Sequence, residues 1–335
     1  MLKLILKRLL YALPFLALLS IFGFILIHSI PGDPIDILVG QSQKDFSQAD
    51  LNALKQEMGL NRPLYQQYFS WLSGFWGQGE LGRSYTDGRP VLTVIGERLP
   101  ATLVLVCASL ALSFFLGLGW GLLASIFEFA KGFGWLSRTL LTLATIVYAI
   151  PGFWLAFFML VTVAIWFPWL RITGLNDPGQ PITFLSLMAH LALPAIALAS
   201  RRAAKVALFI RSSAKQELAK EYVVTALAKG LSFKETVVRH VLRNSLMPIV
   251  SLLGLSLPAL LGGSVLIETV FAWPGLGRLA VEATFGRNYP LLMALIVIYG
   301  AMVILSNLLA DILYSLVDPR IDEDTDGNTS LAGSV

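Results

Sequence analysis

Six apolar stretches, at 9–30, 101–127, 136–167, 184–200, 246–271 and 291–317, restrict what this chain can become. Crossing about 30 Å of hydrocarbon at 1.5 Å per residue takes about 20 apolar residues. A segment in lipid must also satisfy its own backbone hydrogen bonds, so each stretch is expected to be a membrane helix. The fourth is the shortest and carries His190 and Pro194. The third is too long for one perpendicular helix, and its Ile150-Pro151-Gly152 should kink or locally unwind it. Composition agrees, since 56% of the 335 residues are hydrophobic and only 14% charged, more apolar surface than a soluble domain of this size needs. The expected fold class is an all-α polytopic membrane protein with six transmembrane helices.

Where the charges fall matters more than their sum. Segment 200–245 holds ten basic residues, among them Arg201, Arg202, Lys205, Arg211 and Arg239, against three acids, Glu217, Glu221 and Glu235. Loops 168–183 and 272–289 hold one and two basic residues, and the N-terminus has Lys3, Lys7 and Arg8. Positive residues stay on the cytoplasmic side, so both termini and the basic segment are expected there. The acids at Asp322–Asp326 do not oppose this, because carboxylates weigh little in the rule. Residues 31–100 then lie outside. Ser47 and Asp50 form a capping box for a helix that Gly59 can close, and Pro63 opens a second helix with Leu64, Tyr68, Trp71, Leu72 and Phe75 on one face. This reads as a small external cap packed on the spans or lying at the lipid interface, with direct contact to a soluble partner as the alternative.

Several chemistries are excluded or left without support. There is no G-x-x-x-x-G-K-[ST] phosphate loop, so the chain does not bind ATP by that route. His28, His190 and His240 are scattered, without H-E-x-x-H or carboxylates at ligand spacing, and no G-x-S-x-G elbow occurs. The one cysteine, Cys107, reads as a small buried hydrophobe. Ionisable residues at membrane depth are few: Asp311 fits a structural hydrogen bond, and Glu268 either supports the fold or faces an aqueous cavity. Pro151, Pro194, Pro248 and Pro258, with Gly152, Gly254, Gly262 and Gly263, are expected to interrupt spans three to five. Such breaks line a pathway or allow close helix packing.

Segment 221–248 is a basic island in this apolar chain. Two helix-forming halves meet at Gly230, which suits the left-handed residue that closes a helix, and Ser232 with Glu235 makes a capping box for the second half. A basic amphipathic segment commonly lies on anionic headgroups. A capped two-helix unit with a glycine hinge points instead to a docking surface.

These residues resemble a known signature. Glu221-Tyr-Val-Val-Thr-Ala-Leu-Ala-Lys-Gly230 and His240-Val-Leu-Arg-Asn-Ser-Leu-Met-Pro248 are similar to the EAA motif of binding-protein-dependent ABC importer permeases, loosely kept as Glu221, Thr225 and Ala226, with Leu227 where basic residues are common. Other stretches resemble the peptide/opine/nickel branch: Ile30-Pro-Gly-Asp-Pro34, Met58-Gly-Leu-Asn-Arg-Pro-Leu64, Leu81-Gly-Arg-Ser84, Glu97-Arg-Leu-Pro-Ala-Thr102, Asn307-Leu-Leu-Ala-Asp311 and Asp318-Pro-Arg320. The most diagnostic runs from Gly262-Gly-Ser-Val-Leu-Ile-Glu268 through Phe271-Ala-Trp-Pro-Gly-Leu-Gly-Arg278.

The resemblance implies an ABC type-1 transmembrane-domain fold in the bacterial cytoplasmic membrane. Residues 1–30 would form the cytoplasmic N-terminus and first span, 31–97 a helical extracytoplasmic insertion, 98–316 the transmembrane core with coupling helices at about 219–245, and 317–335 an acidic cytoplasmic tail. It implies no enzymatic site and no cofactor in this chain. The expected partners are a second homologous permease, two ATPases carrying ATP-Mg, and an extracytoplasmic solute-binding protein. Glu221, Thr225, Ala226, Gly230, Leu231, His240, Arg243 and Asn244 are the expected ATPase-coupling residues. Pro151, Gly152, Pro258, Gly262, Gly263 and Glu268 are gating or pathway candidates; the family run holds a glutamate at Glu268 whatever the substrate, which favours support of fold or gate. Peptides are the commonest cargo of the branch, beside nickel chelates, opines, sugars and glutathione. The competing readings are an ion-driven secondary transporter, which needs polar ligands near the midplane, and a membrane enzyme, which needs converging catalytic groups.

Overall fold

A computed structural model describes residues 2–32, 34–35, 47–78, 81–129, 132–167, 173–176, 179, 181–241, 244–245 and 256–317. Their regular structure is helical: α1 (Leu2–Ser29), α2 (Gln48–Glu57), α3 (Leu64–Gln78), α4 (Val91–Phe129), α5 (Gly134–Ala149), α6 (Gly152–Trp166), α7 (Phe184–Leu218), α8 (Glu221–Ala228), α9 (Phe233–Thr236), α10 (Leu257–Val270), α11 (Leu276–Phe285) and α12 (Tyr289–Val317). Four of them (α1, α4, α7 and α12) are long and apolar enough to cross a membrane, five spans if the bent pair α5–α6 counts as one. The shorter α10 is also apolar. The expected start of span five, with Pro248 and Gly254, lies outside the described residues, as do Asp33, Arg243 and the tail from Asp318.

Two compact units emerge, 1–103 with 272–304 and 104–271 with 305–335. In the first, the capping box at Ser47 and Asp50 opens α2 as expected, Gly59 closes it at φ +68°, and α3 begins just after Pro63. Tyr68 and Trp71 of α3 pack on Phe24, Ile27 and Met293, while Trp71 and Phe75 also meet a core built from Leu81, Val91, Ile95, Leu276, Leu279 and Leu295. Helix α1 approaches α12 where glycine leaves room: a Cβ on Gly23 would stand 2.9 Å from Ile296 Cδ1, and one on Gly300 would collide with Leu19. The motif resembling the family's most diagnostic run has a structural task here. Trp273 is fully buried and its indole donates to the Ala101 carbonyl at 2.9 Å, while the Leu276 amide donates to Thr102 Oγ1 at 2.7 Å. Ala272 takes the left-handed conformation at φ +51°, and its carbonyl accepts from Arg278 Nη1 at 2.7 Å.

In the second unit α7 is the central element. Its buried Ala199, Ala203, Ala207, Ile210 and Ala214 form a small-residue face. Gly117 and Gly121 of α4, spaced as in G-x-x-x-G, pack on that face; a Cβ at Gly117 would lie 2.7 Å from the Ala203 carbonyl, and one at Gly121 2.8 Å from Ile210 Cβ. Arg211 binds Glu128 with two hydrogen bonds of 3.0 Å, tying α7 to the end of α4.

Three expectations are corrected. Residues 200–218, read as part of a basic loop, continue α7, because charged side chains do not stop a helix that no glycine or cap terminates. Pro194 and the pair Gly262–Gly263 do not interrupt their helices. Pro194 is buried in α7, where packing holds the helix together despite the lost hydrogen bond, and a Cβ on Gly263 would meet Leu198 Cδ1 at 3.4 Å, an ordinary contact, while one on Gly262 would meet nothing within 4 Å. Cys107 is exposed on this chain rather than buried, since α4 turns that face away from its packing partners.

Candidate functional site

Segment 221–241 is built by local chemistry. Helix α7 ends at Ala219, and Glu217 clamps the corner by accepting from Lys220 Nζ at 2.6 Å and from the Tyr222 hydroxyl at 2.9 Å. That hydrogen bond raises the Lys220 ammonium pKa, and burial pushes the Tyr222 phenol up. Helix α8 closes at Gly230, whose φ is +86° and whose amide donates to the Leu227 carbonyl at 3.0 Å. The second half opens on the expected capping box: Glu235 Oε2 accepts from the Ser232 amide at 3.1 Å and hydroxyl at 2.7 Å, and Ser232 Oγ accepts from the Glu235 amide at 3.3 Å. The serine hydroxyl bond, then the amide bond, hold the Glu235 carboxyl below its ordinary pKa. Beyond Thr236 the chain widens into a π-helical turn, Val237–Val241, rather than continuing as α-helix.

Packing then divides this unit into two faces. Val223, Val237 and Val241 are buried with Ala214, surrounded by Leu122, Leu218 and Tyr222, so the unit is anchored on both α4 and α7. On the other side Val224 is 67% exposed, Leu227 39% and Phe233 44%. Three exposed apolar side chains on a tightly capped turn give the single chain an apolar surface patch there. Among the expected coupling residues, Glu221, Thr225 and Gly230 are exposed, while Leu231, His240 and Asn244 are half-buried. Asn244 hydrogen-bonds Tyr222. Ala226, at 8% exposure, faces the core and holds the helix in place rather than presenting a contact. Val224 and Phe233 were not singled out from the sequence. Their signal was there: the apolar residues of α8 (Val223, Val224, Ala226, Leu227 and Ala228) are too many for one face, and only one face can be buried.

Residues 117–323 match the family described as the binding-protein-dependent transport system inner membrane component, and residues 1–106 match the N-terminal domain described for such membrane components. The chain belongs to this permease family. It is similar to the oligopeptide transport system permease protein AppB of Bacillus subtilis (strain 168), 35% identical over 95% of this chain and 98% of that protein. It is also similar to the glutathione transport system permease protein GsiC of Escherichia coli (strain K12), 35% identical over 96% and 99% of the two chains. Among solved structures, the MetNI methionine ABC transporter in inward-facing form matches with a TM-score of 0.54 at 19% identity, over 68% of this chain and 97% of that one, which shows a shared fold.

The other candidate residues of the permease occupy three different settings. Pro151 and Gly152 stand where α5 and α6 meet at 105°. Ile150 is extended there (ψ 130°), as the residue before a proline prefers. The bend is sharper than a kink within one helix. Pro258 sits in the first turn of α10, where a missing N–H costs nothing, and Gly262 and Gly263 follow within the same helix. Glu268 is fully buried and already engaged, so it does not face an aqueous cavity in this chain. Among the described residues no group of three or more His, Cys, Asp or Glu side chains is arranged to hold a metal ion.

Proposed function

We propose that this permease forms half of the translocation pathway of an ATP-binding-cassette importer of peptides, and that segment 221–245 is where a separate ATPase docks. The capped turn with Val224, Leu227 and Phe233 exposed carries this reading. Three apolar side chains gathered on one capped, water-facing turn are the pattern that a partner groove covers. Glu221, Thr225, Gly230 and Leu231 shape that contact, with His240, Arg243 and Asn244 following it. The unit is anchored on α4 and α7 through Val223 and Val241, so force on the turn passes into both helices.

In this reading the chain has six spans, the bent pair α5–α6 serving as the third and α10 with the residues before it as the fifth. Both termini are cytoplasmic, 31–97 is an extracytoplasmic insertion, 98–316 is the transporting core, and 317–335 is a cytoplasmic tail. A second homologous permease completes the pathway, two ATPases supply ATP-Mg hydrolysis, and a solute-binding protein delivers cargo. The names of the relatives, one an oligopeptide and one a glutathione permease, support peptides as cargo. The bend at Pro151 and the small-residue surface of α10 at Gly262–Gly263 let the spans switch between outward-open and inward-open forms, with Glu268 bracing the start of the next turn.

Reconstitution with its ATPases and binding protein in liposomes tests this. Peptide uptake should require internal ATP and persist when ion gradients are collapsed. Uptake that follows an ion gradient and ignores ATP depletion would make the chain a secondary transporter instead.

A further inference from the structure

The first unit contains an open cleft of about 510 Å³, within the roughly 300–1,000 Å³ typical of small-molecule sites. Its floor is the outer end of α1 and the start of α12; its walls are the turn after α2, the face of α3 and the loop 82–88. The walls are fixed. Asn288, almost fully buried, accepts from the Tyr85 amide at 3.1 Å and donates to Ser84 Oγ at 2.8 Å and Thr86 Oγ1 at 3.2 Å. The His28 ring is held between Phe24 and Tyr289, with centroids 4.1 and 4.9 Å away.

Two buried nitrogens of residues lining the cleft, His28 Nε2 on its floor and Trp71 Nε1 in its wall, have no hydrogen-bond partner among the described residues. Their characters are opposite. The Phe24 carbonyl can only accept, so His28 Nδ1, 2.9 Å away, donates to it, and in that tautomer Nε2 is the acceptor. The indole nitrogen of Trp71 is a donor only. Buried polar atoms are costly when unsatisfied, so one acceptor and one donor in an aromatic wall await a ligand bearing both N–H and C=O. Charges of both signs line the same cleft: Glu57 in the last turn of α2, and Arg62 and Arg83.

We infer that this cleft binds a short peptide with free ends, Glu57 receiving the ammonium, Arg62 or Arg83 the carboxylate, and His28 with Trp71 the peptide unit between. The inference rests on the peptide reading above and adds a second place where cargo is held. A phospholipid headgroup shares the two charges but brings no amide. Tyr85, whose phenol is pushed up to about 12, mainly by burial, stays protonated and adds no competing charge.

The test uses the complete transporter in nanodiscs without binding protein, irradiated with the photoreactive dipeptide alanyl-p-benzoylphenylalanine, and adducts are mapped by mass spectrometry. Adducts are expected on 57–71, 82–88 or 289–293. Ala-Phe should compete them away, and N-acetyl-Ala-Phe-amide should not. His28→Phe keeps the ring stack but removes the acceptor, and should cut labelling about tenfold. Glu57→Gln should abolish the preference for a free amino end. Labelling unchanged in His28→Phe, or competed equally by the blocked dipeptide, overturns the inference. So does a co-purifying phospholipid in the cleft that Ala-Phe does not displace. ATP-driven Ala-Phe uptake in liposomes with binding protein separates the two claims. Uptake without cleft labelling sinks this site and leaves the transport reading standing; absence of both sinks both.

Discussion

The helix pairs α2–α3 and α8–α9 draw on the same parts in different arrangements. Each has a glycine in the left-handed region, at φ +68° for Gly59 and +86° for Gly230, and a serine–carboxylate capping box, which opens α2 at the end away from Gly59 in the first pair and directly follows Gly230 in the second. They differ in where the large apolar side chains go. The first pair turns Tyr68, Trp71 and Phe75 inward onto α1, α4 and α12 and borders an open cleft. The second keeps small Val223 and Ala226 inside and leaves Val224, Leu227 and Phe233 outside. Local chemistry of the same kind closes both turns, while the large side chains around them point inward in one pair and outward in the other.

The largest effect should come from Gly230→Pro. Proline cannot adopt the positive φ and removes the amide bonded to Leu227, a penalty of about 3 kcal/mol or more concentrated on one turn. ATP-dependent uptake should fall to background while membrane insertion, followed by protease accessibility, is unchanged; normal uptake would remove the coupling role. Trp71→Ala should act on the other pair as a stability loss of about 2–3 kcal/mol, since a half-buried indole is removed from two clusters. A fall in thermal midpoint of the detergent-purified protein checks it, and an unchanged midpoint would mean that α3 is not anchored by its aromatic face.

The triple change Val224→Ser, Leu227→Ser, Phe233→Ser should do the reverse. The midpoint should hold while affinity for the ATPase, measured by pull-down titration, drops about tenfold or more, because three exposed contacts are lost. Equal affinity would send those residues back to the lipid surface.

The smallest effect is shared by both helix pairs. Serine hydrogen bonds hold the Asp50 and Glu235 carboxyls below their ordinary values of 3.8 and 4.5. The folded boxes thus favour the ionised form, so their stabilisation is complete above those ordinary values and is lost as pH falls through the lowered ones. Amide exchange in α2 and α9, corrected for intrinsic rates, should accelerate modestly below about pH 4 and not between 5 and 8. Acceleration in the neutral range would point to another group.

What could be read from the sequence was what is decided within a few residues. Ser47 with Asp50, Gly59, Pro63, Gly230 and Ser232 with Glu235 all lie where their chemistry puts them, because caps and left-handed glycines act over one turn. The run of 200–218 misled because its arginines and lysines look like a loop in a hydropathy profile, while the alternating alanines that bury α7 against Gly117 and Gly121 are visible only with the partner helix known. Gly262 and Gly263 looked like breaks for the same reason: glycine marks flexibility or close approach, and only packing tells which. The expectation for Cys107 failed because α4 buries one face and exposes the other. The cleft was not legible at all, since His28, Glu57, Trp71 and Tyr85 meet through long-range packing.

Helix α7 runs unbroken for 35 residues, about 52 Å at 1.5 Å per residue, and ends at the corner from which α8 departs. A rod of that kind has a phase as well as a length. One residue inserted after Arg211 would turn everything beyond it by about 100°, carrying Val224 and Phe233 to a different azimuth, whereas seven would restore the heading to within about 20°. Gene segments exchanged between permeases of this kind should therefore tolerate insertions in α7 in steps of a heptad and reject single residues, even where every side chain is apolar.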